Sequence, residues 1–254
     1  MPLTITVDGK SYIDGVDVSA KEYISLLKES KEIPRTSQPS AGVFAEAYDR
    51  LGADGSEIIS IHLTSGMSGT FGSAQSGAQM SSSKVTVVDS KFISRALGFQ
   101  VVEAAKLAQA GKTVTEITEQ LTKIRENSSL YIMVDTLEYL AKGGRIGRGK
   151  ALLGSLLKIK PIASLADGVY TPVSKVRTYV QLIKFLTKQL ETETANKTIK
   201  AIGIAQADAL ELANDLKKAL SEATGFQAID IVDTTPIIST HTGPGALALM
   251  YYAE

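Results

Sequence analysis

Short apolar runs, each followed by a longer stretch of helical period, constrain this chain more than any other feature of its sequence. Residues 3–7, 57–63, 84–88 and 130–134 are rich in Ile and Val and bounded by turn formers, the pattern of strands. Between them, residues 19–30, 40–51, 68–80, 93–110 and 113–126 read as helices. Ser19/Glu22, Thr113/Glu116 and Asp135/Glu138 have capping-box spacing, in which a side-chain oxygen accepts from a backbone amide and a Glu reaches back. Gly52 and Gly111 stand where helices should stop. Strands apolar on both faces and alternating with helices imply a parallel, helix-covered sheet. Residues 1–150 are therefore expected to form an N-terminal α/β lobe around a mainly parallel sheet.

The pattern changes after Lys150. Residues 161–176 read as a hairpin turned by Asp167-Gly168, because Asp-Gly supplies the positive φ of a type I′ turn. A helix (178–192), a strand (199–205), a helix (208–224) and a strand (226–232) follow. Residues 151–254 are expected to form a C-terminal α+β lobe, with the boundary between Gly144 and Lys160. The fold class is a two-domain α/β protein.

Composition narrows the chemistry. The chain has no cysteine, which excludes disulfides, thiolate metal sites and cysteine nucleophiles. Only His62 and His241 are present, so a histidine-rich metal site is excluded too. Lys+Arg and Asp+Glu both number 27, which argues against general nucleic-acid binding, where clustered cations meet phosphate. No run approaches the roughly 18 apolar residues of a membrane span. The first residues, Met-Pro-Leu-Thr-Ile-Thr-Val, lack the charged region and cleavage site of a signal peptide. A cytoplasmic protein without a metal or cofactor is expected.

Four polar segments sit where strands hand over to helices or loops, the usual site location in open α/β sheets. Residues 36–40 (Thr-Ser-Gln-Pro-Ser) line a pocket or merely lead into a helix capped by Ser40. Residues 64–70 (Thr-Ser-Gly-Met-Ser-Gly-Thr) follow a strand. They offer either an N-cap and tight turn or a carboxylate or phosphate site, where a helix start favours an anion by about 0.3–1 kcal/mol. No Gly-Lys-Ser/Thr follows, so a nucleoside triphosphate is a poor fit. Residues 143–150 place Arg145, Arg148 and Lys150 among glycines, as a solvated loop or as a contact for phosphate or an acidic partner. Residues 239–245 (Ser-Thr-His-Thr-Gly-Pro-Gly) hold His241 in a setting expected to be non-helical, where it either ligates an anion or satisfies local hydrogen bonds. His62, inside an apolar strand, reads as structural. Neither a nucleophile elbow nor a Gly-x-Gly-x-x-Gly follows a strand.

Taken together these segments resemble the DegV family, whose characterised members are fatty-acid-binding subunits of bacterial fatty acid kinase. The resemblance rests on residues 36–40, the Ser-x-x-Ser-Gly-Thr element at 65–70, residues 135–140 with 143–146, residues 158–161, and residues 241–245, in family order along nearly the whole chain. It implies an acyl chain in a tunnel between the two lobes, with no further cofactor. Carried onto this sequence, Thr36, Ser68 and His241 are the implied carboxylate contacts, with Ser37, Gly69, Thr70 and Thr242 beside them. Arg145 is the implied partner-facing residue on an exposed loop.

The implied function is to bind a long-chain fatty acid and present its carboxylate to a separate ATP-binding kinase subunit, for phosphorylation to acyl-phosphate. The implied setting is phospholipid metabolism, with no membrane span and at most transient contact with a membrane surface. The alternative is an acyl or phosphoryl hydrolase or transferase using Ser68 with His241, and its sign would be a carboxylate orienting His241. Relatives open with a further strand carrying Thr-Asp-Ser and a helix. This sequence begins after that point, so either Met1 is not the natural start or the N-terminal lobe is reduced.

Overall fold

The computed structural model describes residues 1–152 and 159–254. The chain opens with an antiparallel hairpin, β1 (Thr4–Val7) and β2 (Lys10–Ile13), turned by Asp8 and Gly9 at φ of 45° and 84°. Helix α1 (Ala20–Glu29) starts on the expected capping box: Glu22 N–H donates to the Ser19 hydroxyl and Ser19 N–H to the Glu22 carboxylate. Strand β3 (Arg35–Ser37) returns antiparallel to β1, completing a three-stranded sheet in the order β2-β1-β3.

Next come α2 (Ala41–Leu51), β4 (Ile58–His62), α3 (Thr70–Met80) and β5 (Val85–Asp89). Strands β4 and β5 pair in parallel, and Phe44, Tyr48 and Ala74 seat the two helices against them. Gly77 makes this possible, since a Cβ there would lie 2.5 Å from the Phe44 Cβ.

Helices α4 (Ser94–Gln109) and α5 (Val114–Glu126) precede β6 (Ser128–Met133) and α6 (Glu138–Lys142). The remaining elements are β7 (Lys160–Ser164), β8 (Thr171–Val176), α7 (Tyr179–Glu193), β9 (Ile199–Ala207), α8 (Leu210–Thr224), β10 (Ile229–Asp233), α9 (Pro236–Thr242) and β11 (Ala246–Ala253). Six strands form one sheet in the order β10-β9-β11-β6-β7-β8. Strand β11 is buried at every position, and its period-2 alternation divides the core. Ala246, Ala248, Met250 and Tyr252 face the α4–α5 side, while Leu247, Leu249 and Tyr251 face α7 and α8. Each fully buried Leu on these faces contributes about 1.5–3 kcal/mol relative to exposure.

The α/β class holds, and so does a hairpin over the expected 161–176. Its last ladder pair is Ser164↔Thr171, however, so Asp167 and Gly168, at φ of 55° and 78°, lie within a longer connection (residues 165–170) instead of forming a two-residue type I′ turn. The strand pairing departs from expectation. In the first 127 residues only β4–β5 is parallel, and β1–β3 form a separate antiparallel sheet. Strand β6, expected in the N-terminal sheet, pairs antiparallel with β11 and β7. Both of its faces are apolar, and that pattern suits the centre of any helix-covered sheet. The Asp135/Glu138 capping box is absent: Thr136 Oγ1 accepts from Glu138 N–H, and the Asp135 carboxylate instead accepts from Lys160 Nζ at 2.5 Å. The expected boundary between Gly144 and Lys160 spans residues 153–158, and Lys158 of the 158–161 element lies there too, outside the described residues.

Candidate ligand site

Helix α9 carries the site's histidine, and tertiary hydrogen bonds fix that helix. Pro236 opens it, with φ already set for a first turn. The Asp14 carboxylate accepts from Ile237 N–H at 3.1 Å, and the buried Tyr23 and Thr240 hydroxyls pair at 2.6 Å. His241 therefore lies in the last helical turn. This corrects the expectation of a non-helical position: the Gly-Pro-Gly that follows ends the helix one residue after Thr242, with Gly243 at φ 73°.

From that turn His241 Nε2 hydrogen-bonds Thr36 Oγ1 at 2.9 Å, tying α9 to β3. Its Nδ1 is buried without a partner and faces Gly143, where a Cβ would lie only 2.3 Å away. Burial, with the positive charge of Arg145 nearby, lowers the His241 pKa to about 4. The ring is therefore neutral at ordinary pH.

Thr36 and His241 open onto a cavity of about 610 Å³ of atom-free space, counting its mouth. Ser68, Arg145, Thr242 and Tyr170 add polar groups to the wall, and the rest is apolar, including Leu3, Met67, Leu140 and Leu165. A second, smaller pocket lies alongside, with about 330 Å³ of atom-free space that includes open solvent. The two share Ile93, Leu130, Ile132, Ile238 and Thr242 as walls, so they adjoin each other.

Loops from distant parts of the chain meet next to the cavity's lining segments because small residues allow close approach. The Thr64 hydroxyl donates to Gly168 O at 2.9 Å, joining the loop after β4 to the β7–β8 turn. Gly66 lies so close to that turn that a Cβ would sit 2.6 Å from Gly168 O. Gly69 packs on the Gln38 amide, which donates to Ser73 Oγ at 2.9 Å, so the first two polar segments touch.

These features can hold an amphiphile with an anionic head. The second cavity has Ser94, Thr234 and Thr242 as its few polar walls, whereas the first adds to Thr242 the Thr36 and Ser68 hydroxyls, an imidazole and a guanidinium. Among the described residues no cluster of His, Asp and Glu could hold a metal ion, and no helix is long and apolar enough to cross a membrane. A family model described as "Uncharacterised protein, DegV family" matches residues 1–254. The chain belongs to the DegV family.

A DegV domain-containing protein of Staphylococcus aureus (strain MRSA252) is 44% identical over 250 residues, covering 98% of this chain and 89% of that protein. A fatty-acid-binding DegV family protein from Thermus thermophilus has the same fold, with a TM-score of 0.94 at 27% identity over 100% of this chain and 91% of that one. DegV of Bacillus subtilis, a fatty acid binding protein, gives 0.89 at 30% identity over 100% and 91% of the two chains.

In this DegV chain Thr36, Ser68, His241 and Thr242 line the cavity as a group. Ser68 also does the plainer job, its hydroxyl accepting from Thr70 N–H at 3.2 Å and pairing with Thr70 Oγ1 at 2.8 Å. Thr70 is buried behind it, Gly69 is exposed at the N-cap of α3, and Ser37 is exposed at the end of β3; these three do not line the cavity. Arg145 departs from its expected exposed position. It is part-buried in the cavity wall, its Nε donating to Met67 O at 2.9 Å and its Nη1 to Gly143 O at 2.7 Å. The positive φ of Gly144 turns the chain back after α6 and aims the guanidinium inward.

Ser40 occupies the N-cap of α2 without a side-chain cap bond, so neither reading of that hydroxyl is fulfilled. His62 is structural, as expected: its Nε2 bonds Ser60 Oγ at 2.7 Å and its ring meets Phe44 edge-on at 5.2 Å. The hydrolase arrangement is not formed. Among the described residues no carboxylate orients His241, and Ser68 bonds Thr70 rather than the imidazole. Sequence reasoning missed Tyr170 and Leu3 in the wall. Tyr170 was legible only as a strand residue after an Asp-Gly turn.

Proposed function

We propose that this protein binds a long-chain fatty acid, with its tail in the two adjoining, largely apolar cavities and its carboxylate beside Thr36, Ser68, His241 and Arg145. It would then present that carboxylate to a separate ATP-binding kinase subunit for conversion to acyl-phosphate. The observation that carries the reading is the polarity gradient, in which one end gathers four hydrogen-bonding side chains and the walls beyond are mostly hydrocarbon. The fatty-acid binding of the Thermus and Bacillus proteins supports the choice of ligand.

The energetics divide the labour. At about 0.8 kcal/mol per buried CH₂, roughly fifteen methylenes gain about 12 kcal/mol on leaving water, so the tail supplies most of the affinity. A buried carboxylate is heavily penalised unless its hydrogen bonds are replaced, and the Ser68 and Thr36 hydroxyls and the Arg145 guanidinium are the donors for that, with the His241 imidazole orienting Thr36. Native mass spectrometry of the purified protein with lipid extraction tests the reading. A retained fatty acid at one per chain is expected. An empty protein that also fails to take up added fatty acid would end it. Acyl-phosphate formed only when kinase, ATP and this protein are combined tests the presentation step.

A further inference from the structure

Tyr170 is 1% exposed, and its hydroxyl is buried with no hydrogen-bond partner in the protein. The ring is held in place: Gly149 packs on its edge, a Cβ there lying 2.9 Å from Cε1, and Arg148 N–H donates to Tyr170 O at 2.9 Å. Burial pushes its ionisation above the usual phenol range, so the group is a proton donor at any ordinary pH. A buried hydroxyl without a partner is costly, and buried phenols usually find one. Tyr170 lines the first cavity, the one that holds Thr36, Ser68 and His241, and not the second.

We propose that the Tyr170 hydroxyl is a specificity-determining contact for an oxygen on the acyl chain itself, so that the preferred ligands include hydroxy or oxo fatty acids. The inference rests on the fatty-acid reading above. Because Tyr170 belongs to the chamber at the polar end, the favoured oxygen sits on the carboxyl-proximal half of the chain. A site with a buried donor discriminates against a ligand that leaves it unpaired more strongly than an apolar wall discriminates by shape.

The test compares binding of stearate with hydroxystearates carrying the hydroxyl at positions along the proximal and distal halves, for the wild type and Tyr170→Phe. At least one proximal isomer should bind wild type roughly three- to tenfold more tightly than stearate, the size of one net hydrogen bond. Tyr170→Phe should abolish that ratio, since the ring and its apolar contacts are kept and only the hydroxyl is lost. Equal loss for stearate and every isomer would show the phenol contacting the carboxylate, and would overturn the proposal. So would the absence of any favoured isomer, or a ratio that survives in Tyr170→Phe. Stearate binding without such a preference sinks this inference alone, whereas failure of every fatty acid to bind sinks the fatty-acid reading with it.

Discussion

Thr36 Oγ1 and His241 Nε2 lie 2.9 Å apart although 205 residues separate them in the chain. The bond joins a short edge strand to the last turn of α9 and sets the imidazole at the polar end of the cavity. His241→Ala and Thr36→Val should therefore impair the carboxylate end rather than the tail. Acyl-phosphate formation with the proposed kinase subunit should fall more than tenfold, while fatty-acid affinity falls by roughly the 0.5–1.5 kcal/mol of one net hydrogen bond. Kinase-coupled turnover and direct binding, measured on the same preparations, check this. Normal turnover by both variants would reduce the pair to a structural link.

Gly143 should tolerate no side chain. A Cβ there would lie 2.3 Å from His241 Nδ1 and 2.9 Å from Tyr139 O. Gly143→Ala must push the imidazole aside, with an overpacking cost of about 1–3 kcal/mol. A lowered Tm together with weakened lipid binding is expected. Gly42, whose surroundings are open, serves as the control, because Gly42→Ala meets nothing within 4 Å.

Arg145 sits in the cavity wall, which shifts the effect expected of its removal. Arg145→Ala should weaken fatty-acid binding by several-fold through loss of a charge-assisted contact. It should also raise the His241 pKa, since the guanidinium is one of the two influences holding it down. NMR titration of the imidazole in the lipid-free variant reads the second effect. An unchanged pKa would show burial acting alone.

Lipid-free protein should lose stability as pH falls from about 6.5 toward about 4, since His241 is held at about 4 when folded and rises to its ordinary value when unfolded. Across that window the unfolded chain binds a proton that the folded one refuses, so stability rises with pH, by up to about 3 kcal/mol from this group. His62, also lowered to about 4 by burial, adds in the same direction. Denaturant unfolding at several pH values should give a flatter profile for His241→Gln. A bound carboxylate opposes the shift, so saturating fatty acid should flatten the wild-type profile too.

Ala205 and Ala248 both wall the second cavity. Ala248→Leu should fill tail space and move the chain-length profile of bound lipid toward shorter acids. The profile comes from native mass spectrometry after exposure to a mixture of chain lengths. An unaltered profile with unaltered stability would place the tail elsewhere.

The capping boxes at Ser19 and Thr113, the helix stop at Gly52 and the positive φ of Asp167 and Gly168 were legible because each depends on hydrogen bonds and φ preferences within a few residues. The Asp8-Gly9 hairpin carried the same local signal and was legible in principle, as was the apolar run that became β11. Thr36, Ser68 and His241 entered as a group only through the family resemblance; spacing alone left each open between a cap, a loop and a ligand contact.

By itself the sequence determined where α1 and α5 begin, which strand faces are apolar, and that no cysteine or histidine-rich metal chemistry is available. Those properties follow from short-range sterics, capping and composition. Only the tertiary structure decided that β6 lies between β11 and β7, that Arg145 points inward, and that Thr36 meets His241. Each of these depends on packing between segments far apart in the chain. A strand apolar on both faces fits several neighbours equally well, and a glycine-flanked arginine takes its direction from whatever packs beside it. The cavity is the space left between those packed segments, so it has no signature in any one of them.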